Sequence, residues 1–84
     1  MRVSYLSGSI PLMRREVFPQ RLKALRRARG LTQKALAAQV DVTRAYLARL
    51  EMGRHDPPLS RLRLLARALR VTVGDLLGER RRRA

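Results

Sequence analysis

The sequence predicts an all-α domain of five helices, with an irregular arm before it and a basic tail after it. Apolar residues recur with the three- and four-residue spacing of helices that bury one face. Threonine, proline and glycine stand where such helices begin or end, and almost no segment alternates as a strand does. With 84 residues the chain has room for one modest core. We therefore assign the arm to residues 1–18, the helical domain to residues 19–77 and the tail to residues 78–84.

Residues 1–18 form the predicted arm. They mix serine, glycine and proline with scattered apolar side chains, Phe18 among them. This composition indicates an irregular segment with a short extended piece at residues 2–6. Met13 directly precedes the better-patterned part of the chain, so it is a candidate for the genuine start, with residues 1–12 an upstream extension.

The first helix is predicted at about residues 20–29. Pro19 stands near its start, where a missing amide hydrogen does no harm, and Gly30 stands just after its end, where a left-handed backbone is favoured. Leu22 and Leu25 are spaced to face the core.

The second and third helices are predicted at about residues 33–39 and 44–52, separated by a sharp turn. Thr32 and Thr43 precede them, and a threonine hydroxyl can accept a free amide of the first turn. Ala37 is small where the two helices would cross closely. The apolar residues that fit the inward faces of the pair are Leu36, Ala37, Val40, Val42, Leu47 and Leu50.

The last two helices are predicted at about residues 59–70 and 73–77. Thr72 and Asp75 have the spacing of a capping box at the start of the final helix, with aspartate in place of the usual glutamate or glutamine. The predicted core residues of the longer helix are Leu62, Leu65, Ala66 and Leu69.

Charge is the chain's strongest compositional feature. Lysine and arginine number 20 against six acidic residues, a formal charge of +14, which favours a polyanionic partner. Cysteine is absent and His55 is the single histidine, so neither a disulfide nor a cysteine or histidine metal cluster is expected. No nucleophile–base set typical of an enzyme is visible, and no cofactor is expected. No apolar run approaches the length of a membrane span, and we expect a cytoplasmic, nucleoid-associated protein.

Three stretches of the helical segment follow one another as in a known family. They are RLKALRRARGLTQKALA, VDVTRAYLARLEMGR and LLARALRVTVGDLL. Residues 21–77 resemble the phage Cro/repressor-type helix-turn-helix family, also called lambda-repressor-like or XRE-type. The resemblance covers about two thirds of the chain and implies a five-helix DNA-binding domain whose third helix, at about residues 44–52, enters the major groove.

The resemblance implies roles for individual residues. Base reading falls on Arg44, Ala45 and Arg49, of which the two arginines can each offer a donor pair to guanine. Arg26 and Glu51 correspond to a largely buried ion pair beneath the recognition helix. The residues expected on the DNA backbone are Thr32, Gln33, Thr43, Tyr46, Arg54, Ser60 and Arg61. Gln33 is also expected to brace the recognition helix, and packing on the arm is an alternative for Tyr46.

The chain departs from the family at two places. Asp41 stands where the family usually has glycine in the turn, at a position that needs a left-handed backbone, so we expect the turn to form with some strain. Pro57 and Pro58 replace a more usual Pro–Ser before the fourth helix, so its N-cap is predicted to be lost or shifted to Asp56.

These observations favour a sequence-specific transcriptional regulator, a repressor that binds a near-palindromic operator as a homodimer. An antitoxin-type autorepressor, whose protein partner would bind residues 1–18, is an alternative, as is a nonspecific architectural or RNA-binding protein. The arm itself is either a flexible segment or a dimer or minor-groove arm. The Arg80–Arg83 run is expected to add nonspecific affinity.

Overall fold

The computed structural model describes residues 17–79, where every regular element is a helix. The five are α1 (Phe18–Ala28), α2 (Gln33–Gln39), α3 (Arg44–Glu51), α4 (Leu59–Leu69) and α5 (Val73–Leu76). The predicted all-α, five-helix fold is confirmed. Almost all of the predicted arm, including its extended piece, and the arginine run of the tail lie outside the described residues.

Helix α1 begins two residues earlier than predicted. Phe18 is its first residue and only 1% exposed, so the assignment of Phe18 to the arm is wrong. The backbone of Val17 is already helical, and its carbonyl accepts a hydrogen bond from the Arg21 amide at 3.0 Å. No side chain caps this end of the helix, so the usual sequence marker of a helix start is missing.

The first three helices end in the same kind of turn. Gly30, Asp41 and Gly53 follow α1, α2 and α3 with positive φ angles of 70°, 57° and 73°. In each turn the amide of the next residue donates to the carbonyl five residues back, at 3.1, 3.0 and 2.9 Å. This pattern satisfies carbonyls that the helix leaves unpaired. The predicted left-handed conformation of Asp41 is therefore confirmed.

A single core joins the helices. Its members are Phe18, Leu22, Leu36, Ala37, Val40, Leu47, Leu50, Leu62, Leu65, Ala66, Leu69 and Leu76. The predicted inward positions belong to it except Leu25 and Val42, which are half-buried at its margin. Burial of these side chains is the main force that holds α3 in place.

Helices α4 and α5 start differently. Pro58, not Asp56, is the N-cap of α4 and makes no side-chain hydrogen bond there. At α5, by contrast, the predicted capping box is confirmed. The Thr72 hydroxyl accepts from the Asp75 amide at 2.9 Å, and the Asp75 carboxylate accepts from the Thr72 amide at 3.0 Å.

Arg21 of α1 and Arg29, which directly follows α1, bind the last two helices. Arg21 Nε donates to the Asp75 carbonyl at 2.9 Å, and Arg29 Nε donates to the Leu69 carbonyl at 3.0 Å. Both acceptors lie in the last turn of a helix, where a cation is favourable. At the same edge Gly78 packs so closely on Val17 that an added Cβ would lie 2.5 Å from Val17 Cγ1. The chain therefore enters and leaves the described fold side by side.

Helix α4 was predicted to include Arg70 but ends at Leu69, because Arg70 adopts a left-handed backbone with φ 59°. Replacing Arg70 by glycine is expected to raise the free energy of unfolding by about 0.5–1 kcal/mol, since the relief of left-handed strain exceeds the entropy that glycine adds to the unfolded chain. Urea denaturation followed by circular dichroism measures the change. As a matched control, Arg67→Gly within the helix should lower the same quantity by about 1 kcal/mol. A lower stability for Arg70→Gly would contradict the interpretation.

Candidate nucleic-acid interface

Helices α2 and α3 pack across the turn at Asp41 and present their first turns to solvent. The Thr32 hydroxyl accepts from the Ala35 amide, and the Thr43 hydroxyl accepts from the Tyr46 amide, each at 3.0 Å. Both threonines are N-caps, as predicted. Their contacts with a DNA backbone remain predictions.

The outer face of α3 carries the three predicted base-reading residues. Arg44, Ala45 and Arg49 are all exposed, while Leu47 and Leu50 of the same helix are fully buried. The helix is thus fixed by its apolar side and leaves two guanidinium groups and one methyl group on the solvent side. Such a set can donate to the acceptor edge of guanine and contact a thymine methyl group.

The predicted ion pair lies beneath this helix. Arg26 Nε donates to Glu51 Oε2 at 2.6 Å and Nη2 donates to Glu51 Oε1 at 3.1 Å, while Nη1 donates to the Leu31 carbonyl at 2.7 Å. The two side chains are 9% and 3% exposed. The hydrogen bonds that Arg26 donates to Glu51 raise the pKa of Arg26 above its ordinary value, against the opposing effect of burial. The guanidinium is therefore charged at every pH at which binding would be measured.

Gln33 connects the ion pair to the surface. Its Nε2 donates to Glu51 Oε1 at 3.0 Å, and its Oε1 accepts from Arg44 Nη1 at 2.9 Å. The Gln33 amide thereby holds one nitrogen of the Arg44 guanidinium, while the Arg44 residue stays exposed. The resemblance implied that Gln33 braces α3, but nothing in the sequence identified Arg44 as its partner.

Tyr46 is the centre of a second cluster. Its half-buried ring meets the His55 ring edge-on, with 4.9 Å between centroids and an interplanar angle of 68°. The Arg61 guanidinium lies 5.8 Å from the centroid of the same ring. Nothing in the sequence predicted this contact, because it joins positions from α3 and the following loop that no helical spacing relates.

An open cleft of about 290 Å³ runs beside this cluster. It is lined by Asp41, Val42, Thr43, Tyr46, Arg49 and Arg61. Three of the residues predicted on the DNA backbone therefore come together next to a predicted base reader. The other four lie outside it: Thr32 and Gln33 are at the start of α2, Arg54 is exposed just after α3, and Ser60 is exposed in the first turn of α4.

Two further features are absent from residues 17–79. That part of the chain holds no group of three or more histidine, cysteine, aspartate or glutamate residues placed to bind a metal ion. None of its helices is both long and apolar enough to cross a membrane.

Two short helices that each bury one face, joined by a tight turn and with two arginines on the exposed face of the second, define a helix-turn-helix DNA-binding domain. The sequence profile of the helix-turn-helix family matches residues 22–76. The chain belongs to this family and carries the DNA-binding domain of XRE-type transcriptional regulators.

Individual relatives agree with this assignment. The chain is 45% identical over 60 residues to the immunity repressor protein of Bacillus phage phi105, which covers 71% of this chain and 42% of that protein. It matches the clp gene regulator ClgR from C. glutamicum with a TM-score of 0.73 and 33% identity, over 76% of this chain and 82% of that one. It matches the biofilm regulator SinR, solved in complex with DNA, with a TM-score of 0.68 and 30% identity, over 71% of this chain and 97% of that one. The chain spans less than half the length of the first two curated relatives that it matches.

Proposed function

We propose that this protein is a transcriptional repressor that binds a near-palindromic operator as a homodimer and reads each half-site with α3. The observation that carries the proposal is the exposed set of Arg44, Ala45 and Arg49 on a helix whose opposite side is buried. The protein would act on double-stranded DNA in the cytoplasm. A repressing role is supported by its likeness to a phage immunity repressor.

The proposed base contacts follow from side-chain chemistry. Arg44 and Arg49 each offer two parallel donors that match guanine O6 and N7, and Ala45 offers a methyl group to thymine. Gln33 holds one nitrogen of Arg44 at 2.9 Å, which lowers the conformational entropy that Arg44 would lose on binding. Preorganisation of this kind supports Arg44 as a reader of bases rather than of phosphate alone.

The proposed backbone contacts surround those readers. Thr43, Tyr46 and Arg61 line one cleft beside α3, which supports their assignment to the DNA backbone. Helix α3 also points its first turn toward the surface, and free amides at a helix start attract phosphate. Thr32 and Gln33 lie at the start of α2, where free amides can attract a phosphate in the same way. Contacts of this kind fix the register of the helix in the groove.

A homodimer is proposed because one small module reads few base pairs. Two recognition helices about one turn of DNA apart would read an inverted repeat and multiply the discrimination of each half-site. A protein partner for residues 1–18 stays a further proposal that lies outside the described residues.

The deciding experiment is selection from a random DNA pool at roughly physiological salt, followed by competition with scrambled DNA. Enrichment of an inverted repeat is expected. Tight but salt-sensitive binding to every sequence, with no enrichment, would overturn the proposal in favour of an architectural or RNA-binding protein. Enrichment of a single half-site would overturn the homodimer alone.

Arg61 provides a test of the backbone contacts. Arg61→Gln is expected to weaken binding to all duplexes and to reduce the slope of log K against log salt by about 1 per subunit, because one phosphate contact is lost. Arg63→Gln on the same helix removes the same charge at an exposed position outside the cleft and should leave the slope nearly unchanged. Fluorescence anisotropy at several salt concentrations measures both slopes. Equal slopes for the two variants would show that Arg61 acts only through net charge.

A further inference from the structure

The cleft beside α3 contains one carboxylate. The carboxylate belongs to Asp41, an exposed residue that lines the cleft together with Arg49 and Arg61. Within residues 17–79 the Asp41 carboxylate forms neither a hydrogen bond nor an ion pair, so neither of the two arginines in the cleft neutralises it. An uncompensated negative charge therefore lies on the face that is proposed to approach DNA.

The same residue is unfavourable for the backbone. Its φ of 57° lies in the left-handed region, which glycine adopts without penalty and which costs a residue with a side chain. Glycine at this position would relax the turn and remove the charge at once. An aspartate that opposes both the turn and the attraction of DNA calls for a functional explanation.

We propose that Asp41 weakens the attraction of this face for DNA phosphates and so limits the sequence-independent affinity of the protein. The inference rests on the proposed function, since it needs the cleft to face the DNA backbone. Arg61, which is proposed to bind a phosphate, shares the cleft with the Asp41 carboxylate, which repels one. The Arg44 donors lie outside the cleft, so the share of base reading in binding rises as the phosphate share falls.

The need for such a limit follows from the composition. A chain with a formal charge of +14 binds any duplex through phosphate neutralisation, and a genome offers a vast excess of wrong sites. A single negative charge at the interface lowers this sequence-independent affinity. Its effect is largest there because it lies nearest to the DNA phosphates. A charge elsewhere on the surface would be screened within about 10 Å at ordinary salt.

The test compares two variants that change the net charge equally. Asp41→Asn keeps a residue that tolerates the left-handed turn, and Glu79→Gln removes a carboxylate from the far edge near Val17. Binding of the whole chain to a random duplex and to the selected operator is measured by fluorescence anisotropy from low to physiological salt. Circular dichroism confirms that both variants are folded.

Asp41→Asn is expected to tighten binding to the random duplex and to the operator by about two- to fivefold at low salt, with a smaller gain as salt rises. Glu79→Gln should change binding by clearly less. Equal changes in the two variants would overturn the inference, because net charge alone would then explain them. Weaker binding by Asp41→Asn would also overturn it and assign the carboxylate an attractive contact, such as a base amino group.

The outcome is separable from that of the proposed function. If the wild-type protein binds duplex DNA and selects a sequence, but Asp41→Asn behaves like the wild type, only the role of Asp41 is wrong. If the wild-type protein fails to bind duplex DNA at low salt, the proposed function fails and the role of Asp41 with it.

Discussion

Replacing Glu51 by alanine is expected to unfold most of the domain or lower its melting temperature sharply. The substitution leaves the Arg26 guanidinium buried with only the Leu31 carbonyl as an acceptor. Stranding one partner of a buried pair costs about 3–5 kcal/mol, which is comparable to the whole stability of a small domain. Thermal and urea denaturation of the wild type and variant measure the loss.

Two controls isolate the stranded charge as the cause. A double variant, Arg26→Met with Glu51→Leu, removes both charges and should be more stable than Glu51→Ala alone. Glu79→Ala removes an exposed carboxylate and should change the free energy of unfolding by less than about 1 kcal/mol. An unchanged unfolding free energy in Glu51→Ala would show that the pair is dispensable.

Arg44→Ala is expected to cause the largest loss of sequence discrimination. One good bidentate contact with guanine contributes about 1–3 kcal/mol. Affinity for an operator that carries the guanine read by Arg44 should therefore fall roughly tenfold or more. Selection with the variant should enrich an operator in which one position per half-site has lost its preference. The unfolding free energy should hardly change, because Arg44 is exposed.

Gln33→Ala distinguishes the positioning of Arg44 from its contact. It frees the guanidinium of Arg44 but leaves its donors intact, so the base preference should persist with weaker affinity. If Arg44→Ala instead weakens operator and random DNA by the same factor, Arg44 binds phosphate and does not read a base. Arg63→Ala is the matched control, because Arg63 is an exposed arginine that takes no part in the hydrogen bonds among Arg44, Gln33 and Glu51.

The helices were predictable because each carries its own local signals. Thr32, Thr43 and Thr72 mark helix starts, and each caps the helix that follows it. Gly30 and Gly53 mark helix ends. Apolar spacing then identified the buried faces, since a helix that packs on one side repeats its contacts every three or four residues.

The start of α1 and the end of α4 lacked such signals. Phe18 begins a helix with no capping side chain, and its burial depends on helices far along the chain. Arg70 ends α4 although arginine is a poor residue for a left-handed backbone. In both places packing overrides the local preference of the residues, so local rules placed the boundary one or two residues away.

The sequence predicted which residues form the site better than it predicted the contacts between them. Spacing and resemblance together named Arg44, Gln33 and Glu51. Neither could show that one hydrogen-bonded series joins them, because the direction of a side-chain amide depends on the packing of three helices. The ring contact between Tyr46 and His55 was missed for the same reason.

The close packing of Gly78 on Val17 has a consequence for the topology of the chain. A short peptide between these two positions would close the described backbone into a ring without displacing a helix. Cyclisation of this kind removes conformations from the unfolded chain while leaving the folded one as it is. New termini could then be opened elsewhere, since neither the packing of the helices nor the outer face of α3 depends on where the polypeptide starts.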